Sequence, residues 1–252
     1  MTVDNGSGQT EYSSEHAELY DEIFRGRGKD FAGEAARVAE LVRERNPGAS
    51  SLLDVACGTG AHLEAFRDLF DRVEGVELAP AMLDVARKRL PDAELHLGDM
   101  RELRLPDRFD AITCLGNSVA CVDSPEEMAE SVSRMAAHLN PGGVLVVEPW
   151  WFPGNFIDGH VGGHLQLEPG RAVCRMTRAV RKGDRTRHEV RFLLADDRGF
   201  HQFGEVLSVG LFTPEQYRDA FHEAGCDVVL EPALALADGR PNSPGLFVGV
   251  RR

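Results

Sequence analysis

Residues Ser51 to Phe66 read SLLDVACGTGAHLEAF: an apolar run, an acid, two glycines, then a helical pattern. Glycine lets a backbone pass close to a ligand, and the N–H groups that open the next helix point into the same crevice. Asp54, Ala56, Gly58 and Gly60 occupy that turn. A dinucleotide fingerprint needs a third glycine where Leu63 stands, which argues against nicotinamide chemistry. Glu77 falls 17 residues after Gly60, near the offset at which an acid meets the two hydroxyls of a ribose. In HLGDM, Asp99 can accept from an adenine amino group, with Met100 beside the ring and Leu78 and Met82 over its faces. Leu115, closing the following strand, joins this set. Singly these residues could be a tight turn, caps and core; together they end successive strands and describe a nucleoside-cofactor crevice.

The elements that must hold such a crevice alternate along the chain. Phe31, Ala35, Val38 and Val42 make a helical stripe that NPG ends. Then come a strand at LLDVA, a helix over Ala61 to Phe70, a strand at VEGVEL, a helix opened by Pro80 and a strand at AELHL. FDAITCL reads as the next strand, followed by a helix whose Ser124 and Glu127 match a capping box, with Pro125 at its first position. NPGG stops that helix, VLVVEPWW is a central strand, and TPEQYRDAFHEAG and GLFVGV close the chain as helix and strand. This pattern predicts an α/β fold, a Rossmann-like parallel sheet with right-handed crossovers. RAVCRMTRAVRKGDRTRHEVRFLLA reads as a hairpin turning at KGD, part of an antiparallel insertion over the sheet. One domain is expected over residues 1–252: a helical cap to about 48, a core over about 50–150, the insertion over about 160–210, and a closing helix and strand over about 213–252.

Composition narrows the function. With 41 acids against 28 bases the net charge is −13, which disfavours nucleic acid and anionic membranes as partners. The start, MTVDNGSGQTEYSS, lacks the basic and apolar regions of a secretory signal, and no apolar run reaches the length of a membrane span, so a cytoplasmic protein is expected. The five cysteines are odd in number and form no C-x-x-C pair, so they read as reduced thiols. His160 and His164 lie four apart, but GHVGGH is too glycine-rich for a helix and reads as a flexible loop; no metal is expected.

LLDVACGTG, VEGVEL, HLGDM and LNPGGVLVVEP resemble the successive motifs of class I S-adenosylmethionine-dependent methyltransferases. The resemblance implies that Asp54 to Gly60 cradle the methionine end of S-adenosyl-L-methionine, Glu77 the ribose, and Asp99 with Met100 the adenine. EHAELYDEIFRGRGKDF, ARKRLPDAELHLGDMR and VVEPWWFPGNF are further similar to bacterial N,N-dimethyltransferases of nucleotide-linked amino-deoxysugars that serve macrolide antibiotics. That likeness implies a small-molecule acceptor, an active site closed by Tyr12, Tyr20 near the cofactor, and Trp150 and Trp151 on the acceptor side, with a homodimer as a candidate assembly. Two positions depart from the family pattern: Cys121 stands where relatives carry histidine or tyrosine, and Pro244 where they carry an arginine.

From Arg171 to Arg191 eight basic residues face two acids, a local reversal of the chain's charge. Strand alternation is expected to put Arg171, Arg175 and Arg181 on one face of the hairpin with Arg185, Arg187 and Arg191, and Cys174, Met176, Val180, Val190 and Phe192 toward the core. Arginines so presented could grip a diphosphate, against the alternative of a solvated basic face. The predicted reaction is N-methylation of a nucleoside-diphosphate amino sugar, an in-line displacement that needs an oriented, neutral amine. The alternatives are another small amine or hydroxyl acceptor, or a protein that binds the cofactor without chemistry.

Overall fold

The computed structural model describes residues 14–252. Two helices, Ser14–Gly26 (α1) and Phe31–Arg45 (α2), precede the sheet. At the start of α2 the Asp30 carboxylate accepts the Gly33 N–H at 3.0 Å, and the helix buries the predicted stripe. The alternation then runs Ser51–Val55 (β1), Ala61–Phe66 (α3), Arg72–Glu77 (β2), Pro80–Arg89 (α4), Glu94–Leu97 (β3), Phe109–Cys114 (β4), Pro125–Ala137 (α5) and Leu139–Val147 (β5). Four long strands follow, His160–Glu168 (β6), Arg171–Lys182 (β7), Arg185–Asp196 (β8) and Gly199–Gly210 (β9), before Pro214–Glu223 (α6), Cys226–Glu231 (β10) and Leu246–Arg251 (β11).

The large sheet has the order β10-β11-β5-β4-β1-β2-β3, parallel from β5 to β3, with β11 antiparallel to β5. Chain order reverses between β1 and β4, so the crevice beyond their carboxyl ends is where such a sheet takes ligands. Side-chain alternation feeds two cores. Leu52, Val144 and Val146 pack with α2 and α3, while Leu53, Val55, Leu145 and Val147 pack with α5 and α6. The second sheet, β6-β7-β8-β9, is antiparallel throughout. No helix among the described residues is long and apolar enough to cross a membrane, and the five cysteines are free thiols.

Several boundaries differ from the sequence expectation. Helix α3 stops at Phe66, whose carbonyl takes the N–H groups of both Leu69 and Phe70 at 2.9 Å, which tucks Phe70 into the core. The NPGG segment does not lie outside a strand: β5 begins at Leu139 and absorbs it as an irregularity between the Phe109–Leu139 and Ala111–Val144 pairs. The strand ends at Val147, so Glu148 to Trp151 leave the sheet. The capping box is half formed. Ser124 accepts the Glu127 N–H, but the Glu127 carboxylate takes the Asp123 N–H and an Arg101 N–H instead. GHVGGH is not a loop but opens β6, where Gly162 and Gly163 pair with Thr177 and Met176.

The basic hairpin forms as expected, but its faces do not. A two-residue turn, Gly183 and Asp184, sets Lys182 opposite Arg185, so odd-numbered residues of β7 share a face with even-numbered residues of β8. Arg175 therefore pairs with Phe192, and Arg187 and Arg191 pair with Val180 and Met176 on the other face. The inner face holds Val173, Arg175, Thr177, Val190 and Phe192; Cys174, Met176 and Val180 do not face the core. On the outer face Leu165, Leu167, Met176, Leu193, Phe200 and Val206 are exposed.

Candidate active site

The β1 turn is strained where the sequence foretold a close approach. Ala56 has φ +60° and Gly58 φ +58°, and a Cβ on Gly58 would meet nothing within 4 Å, so its open side faces the cleft. Gly60, at φ +76°, does a different job: a Cβ there would lie 3.3 Å from that of Ala86, so this glycine lets α3 pack against α4. Glu77 is 8% exposed at the end of β2, and its two oxygens accept the N–H groups of Gly58 and Ala79 at 2.8 Å each. Burial pushes its carboxyl above the ordinary range against these two bonds.

The cleft itself is lined by Tyr20, Ala56, Gly58, Glu77, Leu78, Met82, Asp99 and Met100, with Arg101, Ser118, Cys121, Val122 and Asp123. Most of the predicted residues are thus brought together. Asp54 is not on the surface of this cleft: it is 2% exposed and accepts the Thr113 hydroxyl at 2.7 Å, bracing β1 against β4. Burial raises its carboxyl to about 6. Leu115 is a core residue against α2 and α3 and does not line the cleft. Asp99 is held in a fork by Arg101, whose Nε and Nη2 lie 3.0 and 2.6 Å from its oxygens, so an adenine amino group would share that carboxylate with Arg101. Burial works against that fork, but the balance leaves Asp99 below the usual carboxylate range. Arg101, Ser118, Val122 and Asp123 were missed because they sit on, or just after, two short 3₁₀ turns with no periodic signal.

Helix α1 roofs the cleft and is tied to the turn after β1, to α4 and to the second sheet. Asp21 accepts the Thr59 hydroxyl at 2.5 Å and pairs with Arg89, Glu22 pairs with Arg171 at 2.9 Å, and the His16 ring lies 2.7 Å from the Glu205 carboxylate on β9. Tyr20 packs on Phe24 with ring centroids 4.5 Å apart, and burial, followed by the charge of Asp21, drives its hydroxyl far above its ordinary range. Tyr12 lies outside the described residues.

A second cavity, about 470 Å³, opens at the far end of α1. Arg27, His160, His164, Arg175 and Arg240 line it with a single acid, Asp238. Arg27 directly follows α1, the helix whose Tyr20 lines the cofactor cleft, so the same helix runs from one cavity to the other. Of these only Arg175 was singled out for a ligand; the even spacing of His160 and His164, which puts both on one strand face, was the available signal for two more. Trp150 and Trp151 line neither cavity: both are half-buried just past β5, with Trp150 against the α5–α6 core and its ring 5.7 Å from that of His188.

Comparison with known proteins decides what family this geometry serves. Residues 52–143 match the methyltransferase domain model. Over 95% of the chain and 99% of the relative, it is 48% identical to the dTDP-3-amino-3,4,6-trideoxy-alpha-D-glucopyranose N,N-dimethyltransferase of Streptomyces venezuelae. It is 44% identical to the dTDP-4-amino-2,3,4,6-tetradeoxy-D-glucose N,N-dimethyltransferase of Saccharopolyspora spinosa, over 95% and 94% of the two chains. The chain belongs to the S-adenosylmethionine-dependent methyltransferases. The crystal structure of Streptomyces venezuelae DesVI superposes on this methyltransferase with a TM-score of 0.89 over 96% of this chain and all of that one, at 48% identity. CalS10, an amino pentose methyltransferase from Micromonospora echinaspora solved with S-adenosylmethionine bound, gives 0.85 at 47% identity, covering 97% and 99%. The donor set of the methyltransferase's cleft fits that cofactor: a buried carboxylate at the end of β2 for vicinal hydroxyls, a side-chain-free Gly58 for the amino-acid arm, and the apolar Leu78, Met82 and Met100 for a base.

Proposed function

We propose that this chain transfers methyl groups to the amino nitrogen of a nucleoside-diphosphate amino-deoxysugar, dTDP-linked as in its relatives, in the biosynthesis of a secondary metabolite. The observation that carries this reading is the basic cavity beside the cofactor cleft. Five of its lining residues are arginines or histidines, drawn from β6, β7 and two separate loops, in a chain whose net charge is −13. Arginine forks suit the paired phosphate oxygens of a diphosphate, and about 470 Å³ falls in the range of small-molecule sites. Identity near 48% to dTDP-amino sugar methyltransferases supports the same acceptor class.

The cofactor, when bound, supplies an electrophilic methyl. The chain's residues supply orientation and exclusion of water: Glu77, Gly58, Leu78, Met82, Asp99 and Met100 hold the donor under Tyr20, and Arg175 with Arg27 anchors the acceptor's phosphates so that its amine faces the junction of the two cavities. Asp54, Gly60 and Leu115 support the cleft from beneath, and Cys121 lines it. Trp150 and Trp151 shape the wall past β5, and Tyr12 is assigned to the acceptor amine. A cytoplasmic location suits an enzyme fed by nucleotide sugars. The partner beyond the acceptor is a second copy of the chain, whose exposed apolar sheet face supplies the interface.

Steady-state kinetics with nucleotide-linked and free amino sugar test the reading. Arg175→Ala should lower kcat/KM for the linked substrate by roughly 10- to 100-fold and leave the free sugar nearly unaffected. Equal efficiency of the two sugars with the unaltered enzyme overturns the acceptor assignment.

A further inference from the structure

Among the described residues, Arg101 is the one cation that lines the cofactor cleft, and its donors go to two carboxylates. Its backbone N–H and its Nε reach Asp99 Oδ1 at 2.9 and 3.0 Å. Its Nη2 reaches Oδ2 at 2.6 Å, with Nε shared to that oxygen at 3.1 Å. On its other side Nη1 donates at 3.0 Å to Oε2 of Glu127, in the first turn of α5. The same Glu127 oxygen takes the N–H of Asp123, which lines the cleft too, at 3.1 Å. The guanidinium is therefore held at both ends, and it cannot swing without breaking a charge-assisted bond.

A carboxylate offers about four acceptor positions and turns readily about its last torsion. Arg101 removes that freedom. It fills both positions of Oδ1 and one of Oδ2, which leaves a single position on Oδ2 for a ligand. We propose that Arg101 is a positioning residue that makes the cleft selective for a 6-aminopurine over a 6-oxopurine. This rests on the placing of the cofactor's adenine against Asp99 given above. The amino group brings an N–H to the one open acceptor. A 6-oxo group sets an oxygen there instead, with no proton between it and the carboxylate. The oxopurine does carry a proton on the neighbouring ring nitrogen, and a carboxylate free to turn would follow it; one fixed by the fork does not.

Two further observations favour this role over that of a brace. The Asp99 and Arg101 side chains are 18% and 26% exposed, and an ion pair so open to water contributes little to stability. Burial pushes the Asp99 carboxyl up, but the Arg101 bonds outweigh it and keep the group below its ordinary range, so the open position accepts and does not donate. Lysine would keep the charge without the fork, since a point ammonium cannot hold both oxygens in one plane.

Calorimetry on the full chain tests this with two inert ligands, S-adenosylhomocysteine and its 6-oxo analogue S-inosylhomocysteine. The unaltered protein should prefer the amino compound by at least about 10-fold, the lower bound for one charge-assisted bond. Arg101→Lys should cut that ratio by at least about 3-fold. Glu127→Ala, which unties the far side of the guanidinium, should cut it in the same direction and takes the place of the lysine variant if that does not fold. Asp99→Asn, whose amide can donate to a 6-oxo oxygen, should abolish the preference. If the first two variants weaken both ligands equally, or leave the ratio intact while Asp99→Asn abolishes it, Arg101 is a brace and the proposal alone is overturned. An unaltered protein without a preference, or a preference that survives Asp99→Asn, overturns the placing of adenine and the proposal with it.

Discussion

Glu77→Ala probes the cleft where its geometry is tightest. The residue is 8% exposed, lines the cleft, and accepts two backbone N–H groups at 2.8 Å, from Gly58 and Ala79; a ribose seated there would bond to the remaining lone pairs. A hydrogen bond to a charged partner is worth about 1.5–3 kcal/mol, so loss of the ribose contact should weaken S-adenosylmethionine binding by about 10- to 150-fold. The same change strands two amide donors. Water can enter the vacated space from the cleft, so the lower bound of about 1 kcal/mol for each applies, near 2 kcal/mol together. In a domain of this size that lowers Tm by about 4–8 °C. Isothermal calorimetry and thermal unfolding without cofactor separate the two effects. A normal affinity with a lowered Tm would refute the ribose contact and leave Glu77 as a brace for the turn; a normal Tm would refute the argument from stranded donors.

Asp54→Asn should stabilise the fold at neutral pH. Because the folded state raises this carboxyl from 3.8 to about 6, its contribution is fully present below the unfolded value and is lost as pH rises through about 6. The variant's advantage should therefore grow between pH 4 and 7, to at most about 3 kcal/mol, in denaturant melts; an advantage independent of pH would count against it. Light scattering should give a particle of about twice 27.7 kDa. Replacing Leu167 and Phe200, which are 70% and 79% exposed, by aspartate should halve that mass without changing circular dichroism, and a monomeric parent would dispose of the second-copy interface.

The sequence made the cofactor half of the molecule legible because its signals are local: a short apolar run in LLDVA, buried throughout in β1, a period of about 3.6 in Phe31 to Val42, and punctuation by glycine and proline. Glu77 and Gly58 could be placed without knowing any contact, since strand ends in a parallel sheet converge on one crevice. The acceptor half was harder. Arg27, His160, Arg175 and Arg240 are joined by pairing across more than two hundred residues, and no spacing rule spans that distance. The fork from Arg101 to Asp99 and the burial of Leu115 are tertiary facts of the same kind. The inverted hairpin faces have a sharper cause: alternation was read correctly within each strand, but the relation between strands depends on how many residues turn the corner.

That corner, Gly183 and Asp184, is an exposed loop tip of the sort that elsewhere tolerates insertions freely. Here its length works as a gauge. One added residue, with the pairing retained, would rotate β8 by a full alternation, carrying Arg187 and Arg191 inward beneath α1 and turning His188, Val190 and Phe192 out to solvent. Buried unpaired guanidinium groups would then oppose closure of the sheet against the roof of the cleft. Variation within this branch of the family should accordingly accumulate in the identity of the turn residues and not in their number, and a homologue with a three-residue corner should either carry a compensating bulge or have exchanged the polar and apolar positions of the entire strand.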